Sequence, residues 1–398
     1  MAEHPSHSAS AGPPRLDIAD IVRRHRAALE AQTHLTVEQR RVLSAMAMCR
    51  TAELGGHVDV CNACGFSRPA YNSCRNRHCP KCQAVRQEQW IAARTKRLVP
   101  VGHFHVVFTV PSELRALGRY APAELFQALF LAASETLLVL GSTHLRARLG
   151  ITMVLHTWTR ELRFHPHVHA LVTAGGLADD GAHWRTSSRP GYLFPVRVMG
   201  ALLRGKMMAI LRDLYAGGCY ARFEEFADPE AFDRLMQKLA RTNWVVYAKA
   251  PFRRVEHVLA YLGRYTHRVG IANSRLVNVT NDRVTFRTKQ GKTTTLSSVE
   301  FLRRFVQHVL PTSFHKIRHY GLYAGAGAEA RRTAVSLLPM RVPEPPSTTD
   351  EMRSWREWLR LLTGSDVELC PRCGDALEHQ PVVAHHVRAP PATQEVAA

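Results

Sequence analysis

The sequence lacks several features that would assign it to large classes of protein. It contains no run of about 18 or more consecutive apolar residues, the length that a membrane-spanning helix needs. Its start, MAEHPSHSASAGPP, shows no basic segment leading into an apolar one, so no secretion signal is expected. No G-x-x-x-x-G-K-[ST] motif occurs, which argues against a P-loop ATPase. We therefore expect a cytoplasmic, nucleoid-associated protein of bacterial type, with no membrane partner and no ATP cofactor.

Acidic residues are also scarce. The 398 residues include 33 Asp and Glu against 53 Lys and Arg, which gives a formal net charge of +20 and a pI of about 10.1. A charge balance this basic favours a polyanionic partner, with DNA or RNA the leading class. The alternative is that the charge serves solubility alone.

Cysteine is present in an uneven pattern. Five of the nine cysteines lie between Cys61 and Cys82, and two more form the pair Cys370 and Cys373. In an intracellular protein, clustered Cys-x-x-Cys pairs favour metal binding over disulfide formation. The lone residues Cys49 and Cys219 are expected to be buried, inert thiols.

Two cysteine pairs in the first cluster have the spacing of zinc knuckles. Cys61-x-x-Cys64 and Cys79-x-x-Cys82 are separated by 14 residues, and four thiolates in this pattern suit one tetrahedral zinc ion. We predict a single structural zinc site made of these four residues. Three spare donors could replace a member of the set or bind a second metal: Cys74, His57 and His78. The tail pair could be completed by a histidine (His379, His385 or His386), or it could bind no metal.

Basic residues run through this cysteine module. Arg75, Arg77 and Lys81 lie between or inside the knuckles, which predicts a zinc-stabilised module that contacts DNA. The alternative is a purely structural zinc module. Without its metal a module of this size is expected to unfold.

The stretch RFHPHVHALVTAGG, which begins at Arg163, carries alternating histidines. On a strand, His167 and His169 point to one face, while Val168 and its alternate neighbours point to the core. Such a pair can bind one cation, although His-x-His also occurs by chance. His156 on the preceding predicted strand is the candidate third ligand, with Glu161 and His105 as alternatives. His165, before Pro166, is expected only to flank the strand entrance.

A later stretch, FRRVEHVLAYLGRYTHRVG, is predicted to form a helix. Tyr261 and Tyr265 are neighbours at i and i+4, and they share their face with Arg254 and Arg268. This is a plausible setting for a tyrosine to meet a phosphate whose charge the arginines stabilise. The alternative is a pair of amphipathic tyrosines that cover the edge of a core.

Together these motifs resemble a known family. The His-hydrophobe-His strand followed by Tyr-x-x-x-Tyr on a helix resembles the HUH endonucleases, and more narrowly the two-tyrosine transposases of rolling-circle insertion sequences, which carry an N-terminal zinc-binding domain. The likeness covers about residues 16–330 and the tail cysteine pair. It is carried by the segments VCNACGF, SCRNRHCPKCQ, HFHVVFTVPSELRAL, LHTW, HPHVHALVTAGG, YLGRYTHRVGIAN, VTFRTKQGKTTTLSSVEFLRRFVQHVLPTSFHKIRHYGLYA and CPRCG. Thr159 and Arg160 depart from the Gly-Gln that follows His-Thr-Trp in the family.

The resemblance implies an α+β fold, in which an HUH-type antiparallel sheet flanked by helices follows a small helical and zinc-knuckle domain. Its catalytic site would hold Mg²⁺ or Mn²⁺ on His167, His169 and His156, in addition to the structural Zn²⁺. Tyr261 or Tyr265 would attack DNA to form a 5′-phosphotyrosine link, without ATP. The implied function is a transposase that nicks and transfers single strands of DNA. The alternatives are a plasmid replication initiator or relaxase with the same chemistry, and a non-catalytic zinc protein that binds DNA.

The expected domain order follows from composition and from the resemblance. Residues 1–15 form a disordered lead, 16–100 the helical and zinc-binding domain, 101–325 the catalytic domain, and 326–398 a linker with a small cysteine-pair tail. Beyond the tyrosine helix, basic residues such as Arg303 and Arg304 mix with aromatic ones such as Phe301 and Phe305. This mixture could bind single-stranded DNA or could be an ordinary amphipathic helix. The oligomeric state and the DNA sequences recognised stay open.

Overall fold

The computed structural model describes residues 16–187, 189, 191–221, 223–252, 270–338 and 353–382. Within these ranges the protein is an α+β structure of antiparallel sheets flanked by helices, as predicted. Its helices are α1 Ile18–Gln32, α2 Val37–Met48, α3 Ala84–Thr95, α4 Arg115–Tyr120, α5 Pro122–Leu140, α6 Val196–Ala216, α7 Glu224–Ala227, α8 Pro229–Arg241, α9 Ser298–Val306, α10 Ala328–Ser336 and α11 Trp355–Thr363. Its strands are β1 Gly56–Val60, β2 Ser67–Tyr71, β3 His103–Thr109, β4 Ala147–Trp158, β5 Phe164–Ala178, β6 Trp184–Arg185, β7 Val246–Phe252, β8 Leu276–Val279, β9 Arg283–Arg287, β10 Thr293–Ser297, β11 Ile317–Gly321 and β12 Glu378–Val382.

The central sheet is built on the long hairpin of β4 and β5. Its strand order is β11-β4-β5-β3-β7, with the short β6 paired to β5, and every neighbouring pair is antiparallel. The alternation of β-branched and polar residues predicts such half-buried strands. The two strands expected around LHTW and HPHVH are confirmed, and HFHVVF forms the strand β3.

The two faces of this sheet differ in chemistry. Val168, Ala170 and Val172 of β5 enter the main core, together with Met153 of β4 and Phe108 of β3. Helices α5, α6 and α8 cover that face with apolar residues. The opposite face carries the histidines of β3, β4 and β5. The sequence alternation therefore fixes which side chains are core and which are available for chemistry.

Helix α5 is the most apolar element. Among the described residues, the segment Pro122–Leu145 is the one that is long and apolar enough to cross a membrane, but most of it is buried inside the protein. Leu125, Leu129 and Leu137 are completely buried on the sheet. This segment is therefore accounted for as a core helix.

A second core joins distant parts of the chain. Ile21 and Leu29 of α1 and Val42 of α2 pack with Phe286 of β9 and Phe305 of α9. The three-stranded meander β8-β9-β10 and α9 therefore share their apolar interior with the N-terminal helices.

Phe301 and Phe305 of α9 are completely buried, so the idea that they stack on DNA bases is wrong. Arg303 and Arg304 on the outer side of α9 pair with Glu300, as in an ordinary amphipathic helix.

The last described strand pairs with a strand of the N-terminal region. Strand β12 pairs with β1, whose other neighbour is β2, to form a three-stranded antiparallel sheet. The stretch after about Gly325, predicted to be linker, instead contains helix α10, whose Ala334 is buried against Leu177 and Leu322. The linker prediction is wrong there, because small residues such as alanine favour a helix once a packing surface is available.

A close approach of two strands generates a stability prediction. At Gly321 the backbone has φ +59°, and an added Cβ would lie 1.9 Å from the carbonyl oxygen of Leu149. We expect Gly321→Ala to lower the free energy of unfolding by about 3 kcal/mol or more, because strand β11 must shift.

Gly291→Ala is the matched control. Its φ is +76°, but no atom lies within 4 Å of an added Cβ. It should cost only about 1 kcal/mol from the backbone conformation. Denaturant unfolding of both variants measures the difference, and equal losses would contradict the importance of the β4–β11 approach.

Candidate functional site: a histidine cluster and two cysteine clusters

The three histidines predicted to converge lie together on the polar face of the central sheet. His156 of β4 is directly opposite His167 of β5 in the strand register. One ring nitrogen from each of His156, His167 and His169 lies within 4.8 Å of the others. The ring of His156 is 4.4 Å from that of His169, and Trp158 stacks on it at 4.7 Å. The hairpin register thus creates the cluster.

Hydrogen bonds orient these rings. Nδ1 of His167 donates to the carbonyl oxygen of His165 at 2.7 Å, which leaves Nε2 of His167 with a lone pair. Nδ1 of His169 lies 2.8 Å from Nε2 of His105, so the two rings share one proton. Burial lowers the pKa of His167 to about 4 and lowers that of His169 well below its usual value. Neutral imidazoles at physiological pH are the form that binds cations.

The alternative third ligands take other roles. His105 of β3 does not belong to the group of three but contacts His169. A hydrogen bond of this kind, from a residue that does not itself bind the metal, commonly orients a histidine ligand. Glu161, in the turn between β4 and β5, pairs with Arg163 at 3.0 Å. His165 stands beside His167 at the entrance of β5, as expected.

The cysteines form two clusters instead of the single predicted one. Cys61 and Cys64 belong to one group, and Cys79 and Cys82 belong to the other. The prediction of one zinc site from these four residues is therefore wrong. The physical reason is that Cys61 and Cys64 lie at the turn of the β1–β2 hairpin, whereas Cys79 and Cys82 follow the other end of this hairpin.

The first group, which we call the helix–knuckle cluster, consists of Cys49, Cys74, Cys79 and Cys82. Cys49 caps the end of α2, and its Sγ lies 3.3 Å from that of Cys82 and 3.7 Å from that of Cys79. The Sγ atoms of Cys74 and Cys82 are 3.7 Å apart. Two thiolates bound to one zinc ion at the tetrahedral angle are about 3.8 Å apart, so this arrangement suits zinc.

The second group, which we call the split cluster, consists of Cys61, Cys64, Cys370 and Cys373. Of the histidines proposed as completing ligands, those among the described residues do not join it. His57 and His379 both contact the buried carboxylate of Asp59, at 3.0 and 2.9 Å. His385 and His386 lie outside the described residues. His78 is not a cysteine-cluster ligand either, because its Nε2 accepts from the backbone N–H of Leu310.

Sequence reasoning missed Cys49 and the partnership of the tail pair with Cys61 and Cys64. Cys49 is buried, as expected, but it lies among the knuckle cysteines rather than alone. Nothing in the local sequence shows that α2 ends beside a knuckle. The pairing of the tail cysteines with Cys61 and Cys64 could have been inferred from the sequence. Both CNACG and CPRCG place a glycine after the second cysteine, whereas CPKCQ does not.

The predicted DNA-binding residues differ in their surroundings. Arg77 donates to the carbonyl oxygens of Phe314 and Pro311, at 2.7 and 2.9 Å, and Lys81 forms an ion pair with Asp17. These two side chains already hold the knuckle against the rest of the protein. Arg75 is exposed, with φ +52°. Tyr261, Tyr265, Arg254 and Arg268 lie outside the described residues.

Two family models match the chain. The one described as "Putative transposase" matches residues 150–331, which include the three histidines and both tyrosines. The one described as "Transposase zinc-binding domain" matches residues 21–110, which include the helix–knuckle cluster.

Two curated proteins are similar over most of this chain. "Putative transposase y4qJ" of Sinorhizobium fredii is 42% identical over 370 residues, which cover 90% of this chain and 92% of that protein. "Transposase for insertion sequence element IS801" of Pseudomonas savastanoi pv. phaseolicola is 32% identical over 294 residues, which cover 70% of this chain and 68% of that protein. No solved structure matches the chain significantly.

The helix–knuckle cluster generates a prediction about metal content. Cys49→Ser should release the zinc of this cluster and lower the melting temperature, because α2 loses its attachment to the knuckle. Cys219→Ser is the matched control, since Cys219 belongs to neither cluster. Zinc quantification and thermal denaturation measure both effects. Unchanged zinc content in Cys49→Ser would show that Cys49 is not a ligand.

Proposed function

Because the chain belongs to the IS91 family of transposases, we propose that it nicks DNA and transfers single strands through a 5′-phosphotyrosine link, in a rolling-circle type of transposition. Its substrate is the DNA of the element ends and of the target, in single-stranded form, and it acts in the cytoplasm. The observation that carries this proposal is the cluster of His156, His167 and His169 on the polar face of the sheet.

The donor set of this cluster fits a divalent cation. Three neutral imidazoles converge, and the hydrogen bond of His167 to the His165 carbonyl turns one lone pair toward the common centre. Nitrogen ligands suit Mn²⁺ better than Mg²⁺, which prefers oxygen, although phosphate and water oxygens would complete either shell. Bound there, the cation would polarise the scissile phosphate and orient it.

The residues of this chain would divide the remaining work. His105 holds the ring of His169, so that the lone pairs of the cluster keep one direction. Trp158 packs on His156 and limits its rotation. The apolar face beneath, with Val168 and Ala170 completely buried, keeps the strand rigid. A rigid strand suits a site that must hold a phosphate in line with its attacker.

Tyr261 and Tyr265 are the proposed nucleophiles. The phenolic oxygen would attack phosphorus and lose its proton, the bond from phosphorus to the 3′ oxygen would break, and a 5′-phosphotyrosine and a free 3′-OH would form. Attack by a 3′-OH reverses the step, so strands rejoin without ATP. A phenol has a pKa of about 10, so a basic neighbour or the cation must help remove its proton.

The described residues on either side of the tyrosine segment lie beside the central sheet. Phe252 pairs with His103 near one end of the histidine strands, and Gly270 lies close to Leu162 and His308 near the other end.

Removal of the histidine pair tests the cation site. The protein is incubated with single-stranded DNA from the element ends and Mn²⁺, and the covalent protein–DNA adduct is measured. His167→Ala with His169→Ala should lower the rate of adduct formation by roughly a hundredfold or more, because the phosphate is no longer polarised. His183→Ala, an exposed histidine at the far end of the β5–β6 hairpin, should leave the rate unchanged. An unchanged rate in the double variant would refute the site.

Removal of the tyrosines tests the nucleophile in the same assay. Tyr261→Phe with Tyr265→Phe should abolish the adduct while DNA binding persists, because only the attacking oxygens are lost. Tyr247→Phe, an exposed tyrosine on β7, should keep full activity. An adduct formed by the double variant would show that another residue attacks, and the absence of any adduct from the unaltered protein would refute the phosphotyrosine route.

A further inference from the structure

The split cluster brings together cysteines that are more than 300 residues apart in the chain. We propose that Cys61, Cys64, Cys370 and Cys373 bind a second structural zinc ion, which clamps the C-terminal segment 353–382 to the N-terminal zinc-binding domain. The family model for that domain matches residues 21–110, so the proposed site extends the zinc-binding unit to a segment outside it. The proposal does not depend on the phosphotyrosine chemistry.

The two halves of the split cluster are equivalent knuckles. The N–H of Gly65 donates to the carbonyl of Cys61, and the N–H of Gly374 donates to that of Cys370, both at 2.9 Å. Both glycines have positive φ, at +69° and +81°, a backbone region that favours glycine. The first cysteine of each pair donates its N–H to the carbonyl oxygen of the residue after that glycine. Cys61 donates to Phe66 at 2.8 Å, and Cys370 donates to Asp375 at 2.7 Å. Two such turns facing each other are the usual architecture of a four-thiolate zinc site.

The sulfur separations fit a single tetrahedral metal ion such as zinc. Sγ of Cys61 lies 3.5 Å from that of Cys373, and Sγ of Cys64 lies 3.6 Å from that of Cys370. A tetrahedral zinc ion with Zn–S bonds of about 2.3 Å would place two sulfurs about 3.8 Å apart. A disulfide needs about 2.05 Å, and an iron–sulfur cluster holds its sulfurs further apart because several irons lie between them.

The surrounding structure is consistent with a clamp. Strand β12 begins at Glu378, shortly after the second knuckle, and pairs with all five residues of β1. The buried carboxylate of Asp59 on β1 accepts from Nε of Arg68 on β2 and contacts Nδ1 of His379 on β12, both at 2.9 Å. These contacts also account for His57 and Asp59 without a metal between them. The zinc and the sheet would together hold segment 353–382 and the β1–β2 hairpin in one unit.

Metal counting on the purified full-length protein tests the proposal. The unaltered protein should hold two zinc ions per chain, and Cys370→Ser with Cys373→Ser should hold one. Cys219→Ser, outside both clusters, should keep two. Hydrogen exchange should become faster at residues 378–382 in the double variant and stay slow in α1 and α2. A single zinc in the unaltered protein, or two in the double variant, would overturn the proposal.

A second measurement uses only the unaltered protein, so it does not depend on whether a variant folds. Cys373 is exposed, and an exposed thiol without a metal reacts with alkylating reagents. Mass spectrometry should find Cys373 and Cys370 protected in the zinc-loaded protein and alkylated after treatment with a chelator. Ready alkylation of Cys373 while two zinc ions remain bound would overturn the assignment of this site.

Discussion

The antiparallel pairing of β4 with β5 is the constraint on which the rest of the site depends. It places His156 opposite His167, and the two-residue period of β5 then adds His169 on the same face. The same period sends Val168, Ala170 and Val172 into the core. A slip of one residue would exchange these two sets, burying imidazoles and exposing valines. Because the core face is packed by α5 and α6, such a slip is strongly disfavoured, and the register of the site is as secure as the core.

The regions that match the two family models are physically continuous. Helices α1 and α2 share a core with β9 and α9. Residues of the zinc-binding-domain match (21–110) and of the transposase match (150–331) therefore pack in one interior. Arg77 and His78 of the knuckle contact the segment between α9 and β11 through its backbone. Burial lowers the pKa of His78 to about 3, which keeps it neutral and able to accept that hydrogen bond. The knuckle is therefore attached to the segment that leads into β11, the strand that borders β4.

Part of the high positive charge serves the protein's own structure. Arg77 and Lys81, in the middle of the cysteine module, are used inside the protein, and Arg304 pairs with Glu300. Such residues carry charge, but their donors already have partners. Arg75 is exposed and remains available to a phosphate. Net charge therefore indicates the class of partner, but it does not identify the residues that contact it.

The sequence by itself determined the alternating histidines, the strands that carry them and the presence of cysteine knuckles, because periodicity and Cys-x-x-Cys spacing are local properties. It also carried enough motifs to indicate the transposase family. The tertiary structure decided which knuckles face each other, that Cys49 joins one of them, and that His105 supports His169. These outcomes depend on pairings such as β1 with β12 and on the shared core of α1 and α9. Contacts across hundreds of residues are set by packing of the whole chain, and local spacing does not encode them.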